Sequence, residues 1–576
     1  MQPNPNHADH SQLTLTRTSA FGHGGAVAAK MDPATQAGID ILARGGNAID
    51  AAVATAFAVG VVEPWMNGLG GGGFLVAWLA GERRAVAIEF PMISPAASTE
   101  DMFPLSGGKD SALFGWPSTK GNANVVGYRA IAVPGTVSGL ALALEQFGTM
   151  SLAEVLEPAI ALAEQPHRVT WHTTLTIARD LANLSRFPET SRIYLDRNGN
   201  PPVTIEQSAP VTWQNPDLAT SLRTLAAEGP RTFYDGELAA TIVDHLRSEG
   251  SPITRNDFAR YEATIADATT VDLCGHDVHT IGKGAGGTTL AESIGILNRL
   301  DPASDAPGTA PYLHKLTHAF RQAFADRFTY LADAEHLDVP LERLLDPSYL
   351  DAKASRFDPD RVAPIVAGTR EELGVSHGLA PSVASYMKDG STTHLSVIDR
   401  EGNAVSLTQT LLSGWGSRVT VPGTGILMNN GMMWFDPEPG RPNSVGPGKR
   451  PLANMAPVVL TRDGVIRASI GSSGGRKIPN CNTQVLANIA IWDQPMGEAL
   501  ATPRIDASLA PLVVSSRFAP NVIEELAAIG HPVEVADETL QGSAFASPTG
   551  VARDNTGLLE AACDAWYFPA SARALP

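Results

Sequence analysis

Cysteine is what this chain has least of to build with. Its 576 residues hold 3 cysteines, Cys274, Cys481 and Cys563, far apart and with no CxxC spacing. They cannot make a disulfide framework, and the odd count leaves at least one thiol unpaired, which fits a reducing compartment. Excess basic charge is missing as well: 42 Lys and Arg stand against 60 Asp and Glu, a net charge of −18. With no basic stripe to offset that sign, neither nucleic acid nor an anionic membrane is an expected partner. Long hydrophobic runs are also absent. The longest, "AAVATAFAVGVV" at 51–62, is too short to cross a bilayer and reads as a buried helix. The opening stretch "MQPNPNHADHSQLTLTRTSAFG" has no basic segment followed by an apolar one. It is therefore not a secretory signal, and residues 1–25 read as a polar, flexible tail. These absences predict a soluble, cytoplasmic protein.

What is present is ordinary globular composition, 43% apolar and 18% charged. Helical periodicity runs from 33 to 62, ending before Pro64. It returns at 133–165 as two amphipathic helices separated by "FGTMS", with Ser151 and Glu154 forming a capping box. Helical patterns continue over 217–263 and 311–335. Between about 355 and 390 the periodicity fades into "SHGLAPSVASYMKDGS", which reads as an exposed, flexible segment. Strand patterns then follow at 392–399, 404–411, 425–429, 455–461 and 464–470. The chain thus reads as helix-rich first and strand-rich second.

Three stretches could carry chemistry. "GLGGGG" at 68–73 lies between a helix and the apolar strand "FLVAWLA", the wrong order for a phosphate loop. It reads as close backbone packing with positive φ. "GSSGG" at 471–475 satisfies G-x-S-x-G, which would make Ser473 a nucleophile with Asp506 and His531 downstream. The same residues can instead form a turn whose glycine amides hold an oxyanion. The third stretch is "DGSTTHLSVIDREGNAVSLTQT", 389–410, a hairpin with Ser406, Thr408 and Thr410 on one face and Val405 and Leu407 on the other. A bland account is threonine on a solvent face. The catalytic account is that Thr392, once the bond before it is cut, supplies both a hydroxyl nucleophile and an α-amine base of unperturbed pKa about 7.7–8.0.

The chain resembles the γ-glutamyltranspeptidase family of N-terminal-nucleophile hydrolases over nearly its whole length. The motifs include "GGNAIDAAVATAFAVGVVEPWMNGLGGGGF", "VPGTVSGLALALEQFGTMSLAEVLEPAIALA", "TTHLSVIDREGNAVSLTQT", "GILMNNGMMWFD", "GPGKRPLANMAP" and "GSSGGRKI". The resemblance implies an α+β, four-layer αββα sandwich made as a precursor. Cleavage between Ser391 and Thr392 would give a large subunit, 26–391 after the tail, and a small one, 392–576, which stay together as a heterodimer. It implies Thr392 as nucleophile, Thr410 as the second threonine that bonds it, and Gly474 and Gly475 as oxyanion donors. The expected partner is a small-molecule amide, with no metal and no organic cofactor.

Departures from the family pattern cluster on glutamate recognition. Pro91 stands where the family has an Arg, Leu412 where it has an Asn, and Trp434 where it has an acid. Ala453 and Asn454 replace a serine pair. Charge-assisted hydrogen bonds of the kind lost are each worth about 1.5–3 kcal/mol. The segment between Phe435 and Lys449 is also shorter than the family's lid, which suggests a more open pocket. The expectation is a cephalosporin-acylase-like amidohydrolase or acyltransferase acting on a non-γ-glutamyl acyl group or a dicarboxylate half-amide. Asn454 or Arg418 could meet the far end of that group, although a surface ion pair is the plainer role for Arg418. The alternatives are a genuine γ-glutamyltransferase or glutathione hydrolase, a Ser473 hydrolase, and an uncut, non-enzymatic paralogue.

Overall fold

Two seven-stranded antiparallel sheets are assembled from segments taken along the whole chain. The computed structural model describes residues 15–109, 115–205, 209–282, 284–382, 391–540 and 544–576. In chain order the sheet strands are β1 (Ala20–Gly22), β2 (Gly25–Ala29), β3 (Gly72–Leu79), β4 (Arg84–Phe90), β5 (Thr264–Asp267), β6 (Thr269–Leu273) and β7 (His276–Thr280). After these come β8 (Thr393–Asp399), β9 (Ala404–Thr410), β10 (Val458–Arg462), β11 (Val465–Ser473), β12 (Ser547–Arg553), β13 (Leu559–Cys563) and β14 (Ser571–Leu575). One sheet has the order β14-β2-β8-β9-β3-β4-β5 and the other β1-β13-β12-β11-β10-β7-β6.

Three apolar layers account for the stacking. Leu75, Val86, Val397 and Leu407 turn outward from the first sheet onto α1 (Asp32–Ala43), α2 (Ala48–Val62), α3 (Thr136–Phe147) and α4 (Leu152–Glu164). Val278, Leu460 and Ile470 turn outward from the second sheet onto α5 (Gly286–Asn298) and α6 (Ile478–Trp492). Between the sheets lie Ala26, Phe74, Val76, Trp78, Val459, Val551 and Ala561. Phe74, Val76 and Trp78 alternate with Leu75 and Ala77 along β3, so the two-residue period of one strand feeds two cores. This is a four-layer αββα sandwich of the α+β class.

Local signals place the first helices as expected. The 33–62 pattern is two helices, because Arg44–Asn47 breaks it and Asn47 caps α2 through the amides of Ile49 and Asp50. Ser151 and Glu154 make the predicted capping box on α4.

Elsewhere the structure corrects the sequence. The first part of the chain is not only helical: β1–β7 precede Thr392 and β8–β14 follow it. The tail of residues 1–25 ends sooner, because Ala20–Gly22 pairs with β13 and Gly25 opens β2. The strand expected at 425–429 shrinks to Ile426–Leu427. Of the loose segment before the hairpin, 383–390 lies outside the described residues, while Arg370–Leu373 upstream is a short helix capped by Thr369.

Candidate active site

The hairpin β8–β9 lies at the centre of the first sheet, flanked by β2 and β3. Its hydroxyl face does not meet solvent. Ser406 Oγ donates to Ile470 O (2.8 Å) and accepts from Val458 N (2.9 Å), while Ser469 Oγ donates to Val405 O (2.7 Å). These bonds join β9 to β10 and β11 across the sandwich. His394 lies fully buried between Thr408 Oγ1 (2.8 Å) and Ser396 Oγ (3.0 Å). Burial, with Lys30 as a second cause, holds its imidazole well below the ordinary range, so it is neutral. The polar face is an internal seam, and a buried seam requires partners for every hydroxyl.

The register that pairs Thr393 with Gln409 brings Thr392 opposite Thr410 at the open end of the hairpin. Thr392 is buried, and its Oγ1 lies 3.5 Å from Thr410 Oγ1 and hydrogen-bonds the Ser391 carbonyl. Thr410 Oγ1 also accepts from Leu412 N (2.8 Å), which fixes its rotamer. Ser391 Oγ contacts Met66 Sδ at 3.0 Å. The glycine run before β3 is structural, as expected: a Cβ on Gly71 would come within 2.4 Å of Thr410 O. The expected positive φ is absent from 68–73; close approach alone explains the glycines.

β11 ends at Ser473, where Gly474 (φ 148°) and Gly475 (φ 61°) turn the chain toward α6. A Cβ on Gly474 would sit 2.6 Å from Ala546 Cα, so no other residue fits without displacement. Ser473 is not part of a triad. His531 Nε2 bonds His314 Nδ1 at 2.8 Å, and Asp506 is held by Asn480 (2.7 Å) and Ser508 (3.0 Å). Among the described residues no hydrogen bond joins Ser473, Asp506 and His531. An all-antiparallel sheet also lacks the parallel strand-turn-helix frame that such an elbow needs.

Three of the positions that depart from the family pattern gather in one buried cluster, and the other two lie beside it. Leu412, Trp434 and Ala453 belong to a single apolar cluster with Met92, Met433, Phe435 and Met455. Pro91 borders a neighbouring cleft lined by Phe74, Glu89, Ala285 and Arg450. Asn454 Oδ1 accepts from Arg327 Nη2 (2.7 Å), and the same nitrogen donates to Ala453 O (2.8 Å). Arg418 is committed elsewhere: Nε pairs with Asp180 Oδ2 (2.5 Å), and Nη1 donates to Ser413 Oγ (3.0 Å) and Gly416 O (2.5 Å). It is an ion pair, buried rather than on the surface, with its guanidinium held by protein partners. The segment 435–449 is a tightly tied loop, with Lys449 Nζ donating to Pro442 O and Ser444 O at 2.8 Å each.

Three residues missed in the sequence lie behind Thr392. Glu63, at the end of α2, accepts from Thr393 Oγ1 (2.6 Å) and from Tyr567 Oη (2.5 Å). Burial pushes its carboxyl up to about 7, against the pull of those hydroxyls and of Lys30. The only signal available was a charged residue at the end of an apolar run, "AVGVVEP".

Comparison with known proteins places the chain in a family. The family model described as Gamma-glutamyltranspeptidase matches residues 34–571. The chain is 34% identical over 536 residues to the Acylase ACY 1 proenzyme of Pseudomonas sp. (strain V22), spanning 92% of this chain and 90% of that protein. It is 33% identical over 545 residues to the Glutathione hydrolase proenzyme of Pseudomonas aeruginosa, spanning 91% of each. The crystal structure of cephalosporin acylase from Bacillus halodurans superimposes with a TM-score of 0.84 at 26% identity, covering 100% of both chains. The chain belongs to the gamma-glutamyltranspeptidase family.

Proposed function

We propose that this chain is made as a precursor, cuts itself before Thr392, and then works as an amidohydrolase on acyl groups that lack an α-amino acid end. The observation that carries this is the position of Thr392 Oγ1, against the carbonyl of the peptide bond it would break and 3.5 Å from Thr410 Oγ1. In processing, Oγ1 attacks the Ser391 carbonyl carbon and the acyl group moves from nitrogen to oxygen. Water then hydrolyses the ester, releasing a carboxylate on Ser391 and an amine on Thr392. In turnover that amine takes the hydroxyl proton as Oγ1 attacks the substrate amide. The Gly474 and Gly475 amides stabilise the oxyanion, the leaving amine takes the proton, and water or an acceptor amine removes the acyl group from Thr392. Seven strands on each side of the cut interleave in both sheets, so the two pieces would remain one heterodimer.

The acyl preference follows from the apolar wall. Leu412, Trp434 and Ala453 offer nothing to a zwitterion, and Arg418 is held by Asp180. Asn454, next to Ala453, has its Oδ1 taken by Arg327 and would orient an acyl group through Nδ2. A genuine glutathione hydrolase is the second reading, favoured by the near-equal identity to a protein of that name.

Denaturing electrophoresis with N-terminal sequencing tests the first claim: two fragments, the smaller beginning at Thr392, are expected. A panel of anilides tests the second. Simple acyl and glutaryl anilides should turn over faster than the γ-glutamyl anilide, and a strong γ-glutamyl preference would hand the site to the second reading.

A further inference from the structure

Lys30 is fully buried at the end of β2, an expensive place for an ammonium group. Its Nζ donates to Ser547 O (2.7 Å) and Ser547 Oγ (2.7 Å) and faces the Tyr567 ring 5.0 Å from its centroid. Two acceptors and an aromatic face are what a charged ammonium with three donors requires. Tyr567 Oη donates to Glu63 Oε1, and Thr393 Oγ1 donates to Glu63 Oε2. The network touches the catalytic parts from two sides. Thr393 directly follows the proposed nucleophile. Ser547 is the ladder partner of Ser473, the residue before Gly474.

We propose that Lys30, Glu63 and Tyr567 are positioning residues that hold Thr392 and the glycine turn in register from behind and set the proton affinity of the Thr392 amine. This rests on the self-cleaving reading above. None of the three touches substrate; they act through Thr393, through Ser547 and through their charge. With Lys30 ammonium and Glu63 carboxylate the network is neutral. When Glu63 binds a proton the network gains one positive charge just behind Thr393. A positive network disfavours protonation of that amine and a negative one favours it.

Other groups bear on the same volume. Asp564, Cys563 and Cys481 face Lys30, and Arg17 faces Cys563. Neutral His394 lies on β8, His172 and Trp65 stand against Tyr567, and Arg504 is 3.9 Å from Asp564. Asp564 faces Lys30 in either state, so protonating Glu63 makes the network more positive by one charge whatever its total. Burial raises the Glu63 carboxyl to about 7 and lowers Lys30, so Glu63 changes charge near neutral pH.

The test is kcat/KM against pH for E63Q, K30M, the E63Q/K30M double variant and Y567F, each first shown to be cleaved before residue 392. The amide of E63Q still accepts from Tyr567 and offers an N–H to Thr393 Oγ1, so the network's hydrogen bonds survive while its negative charge does not. E63Q should move the acid limb down by about one pH unit, the size expected for one charge several ångströms away in a protein interior. K30M should move it up by less, because Glu63 takes up a proton in answer. The double variant should return close to wild type. Y567F removes a donor that favours the carboxylate, so it should move the limb down by less than E63Q.

Limbs that coincide with wild type in cleaved, active variants would overturn the proposal, because a purely structural role predicts loss of rate without opposite shifts. If K30M does not fold, E63Q and Y567F still decide, since both must move down. An uncut wild-type chain or an active T392A enzyme would instead sink the reading of Thr392 itself.

Discussion

Two groups of buried side chains join where Leu412 N meets Thr410 Oγ1, and they are built on opposite principles. On one side Thr392, Thr410, His394, Ser396, Thr408 and Glu63 form a buried polar seam in which hydroxyls and carbonyls are tied to named partners. On the other, Leu412, Trp434 and Ala453 lie in an apolar cluster with four buried methionines. A polar seam is intolerant, because removing one partner strands another buried group at a cost of about 1–3 kcal/mol. An apolar wall is tolerant of shape, and methionine adapts more than other core residues. Under the proposed function, the difference means that bond-breaking is specified atom by atom and substrate choice by bulk and polarity. Substitutions on the two walls should therefore differ in kind.

The largest break is on the polar side. Thr392→Ala should leave a single uncut chain on a denaturing gel, with anilide hydrolysis reduced by at least roughly 10⁴-fold, as when other enzymes lose their nucleophile. A cut T392A chain would show that the chemistry lies elsewhere. Gly474→Ala comes next. It adds a Cβ 2.6 Å from Ala546 Cα at a φ of 148°, so the turn must move. Displacing an oxyanion donor costs about 10²–10³-fold in kcat, and KM should change little. Steady-state kinetics that instead show a KM effect with normal kcat would assign the turn to binding.

The polar wall was partly legible in the sequence and the apolar one hardly at all. Period-two alternation placed β8 and β9, and the "GNAVSLTQT" register put Thr410 on the hydroxyl face. Alternation could not say whether that face meets water or a second sheet, since serine and threonine suit both. β7, β12 and β13 escaped because strands buried along most of their length carry no clean alternating pattern, and β5, β6 and β14 because they are edge strands of only four or five residues. Lys30, Glu63, Thr393 and Tyr567 come from four distant stretches. No spacing rule links them; only the closed sandwich does.

Stability against pH separates the walls further. Glu63 has a folded pKa raised to about 7 from 4.5, so between those values the folded state binds the proton that the unfolded state has released. Its contribution to stability is therefore fully present below about pH 4.5 and is lost as pH rises toward 7, a change on the order of a few kcal/mol. Replacing Glu63 with Gln should flatten that part of the Tm–pH curve. Apolar-wall variants such as Ala453→Val should shift the curve without changing its shape. An E63Q curve parallel to wild type would mean that Glu63 does not titrate in this range.

The smallest effect probes the seam where the walls join. Leu412 has a φ of 91° although it is not glycine, and its amide is pinned to Thr410 Oγ1. Such backbone costs a non-glycine residue about 1–2 kcal/mol, while asparagine adopts positive φ more readily. Burying leucine returns about 1.5–3 kcal/mol, so Leu412→Asn trades lost burial against relieved strain and should be destabilising by no more than about 2 kcal/mol. Leu411 is buried equally well without the positive φ, so Leu411→Asn has no strain to relieve and should cost about 1–2 kcal/mol more. Urea midpoints of the two variants measure that gap directly. Equal midpoints would mean that the backbone at 412 stores no strain. A gap accompanied by a higher γ-glutamyl to acyl rate ratio in Leu412→Asn would show that one polar side chain beside Thr410 is enough to begin turning the apolar wall into a polar one.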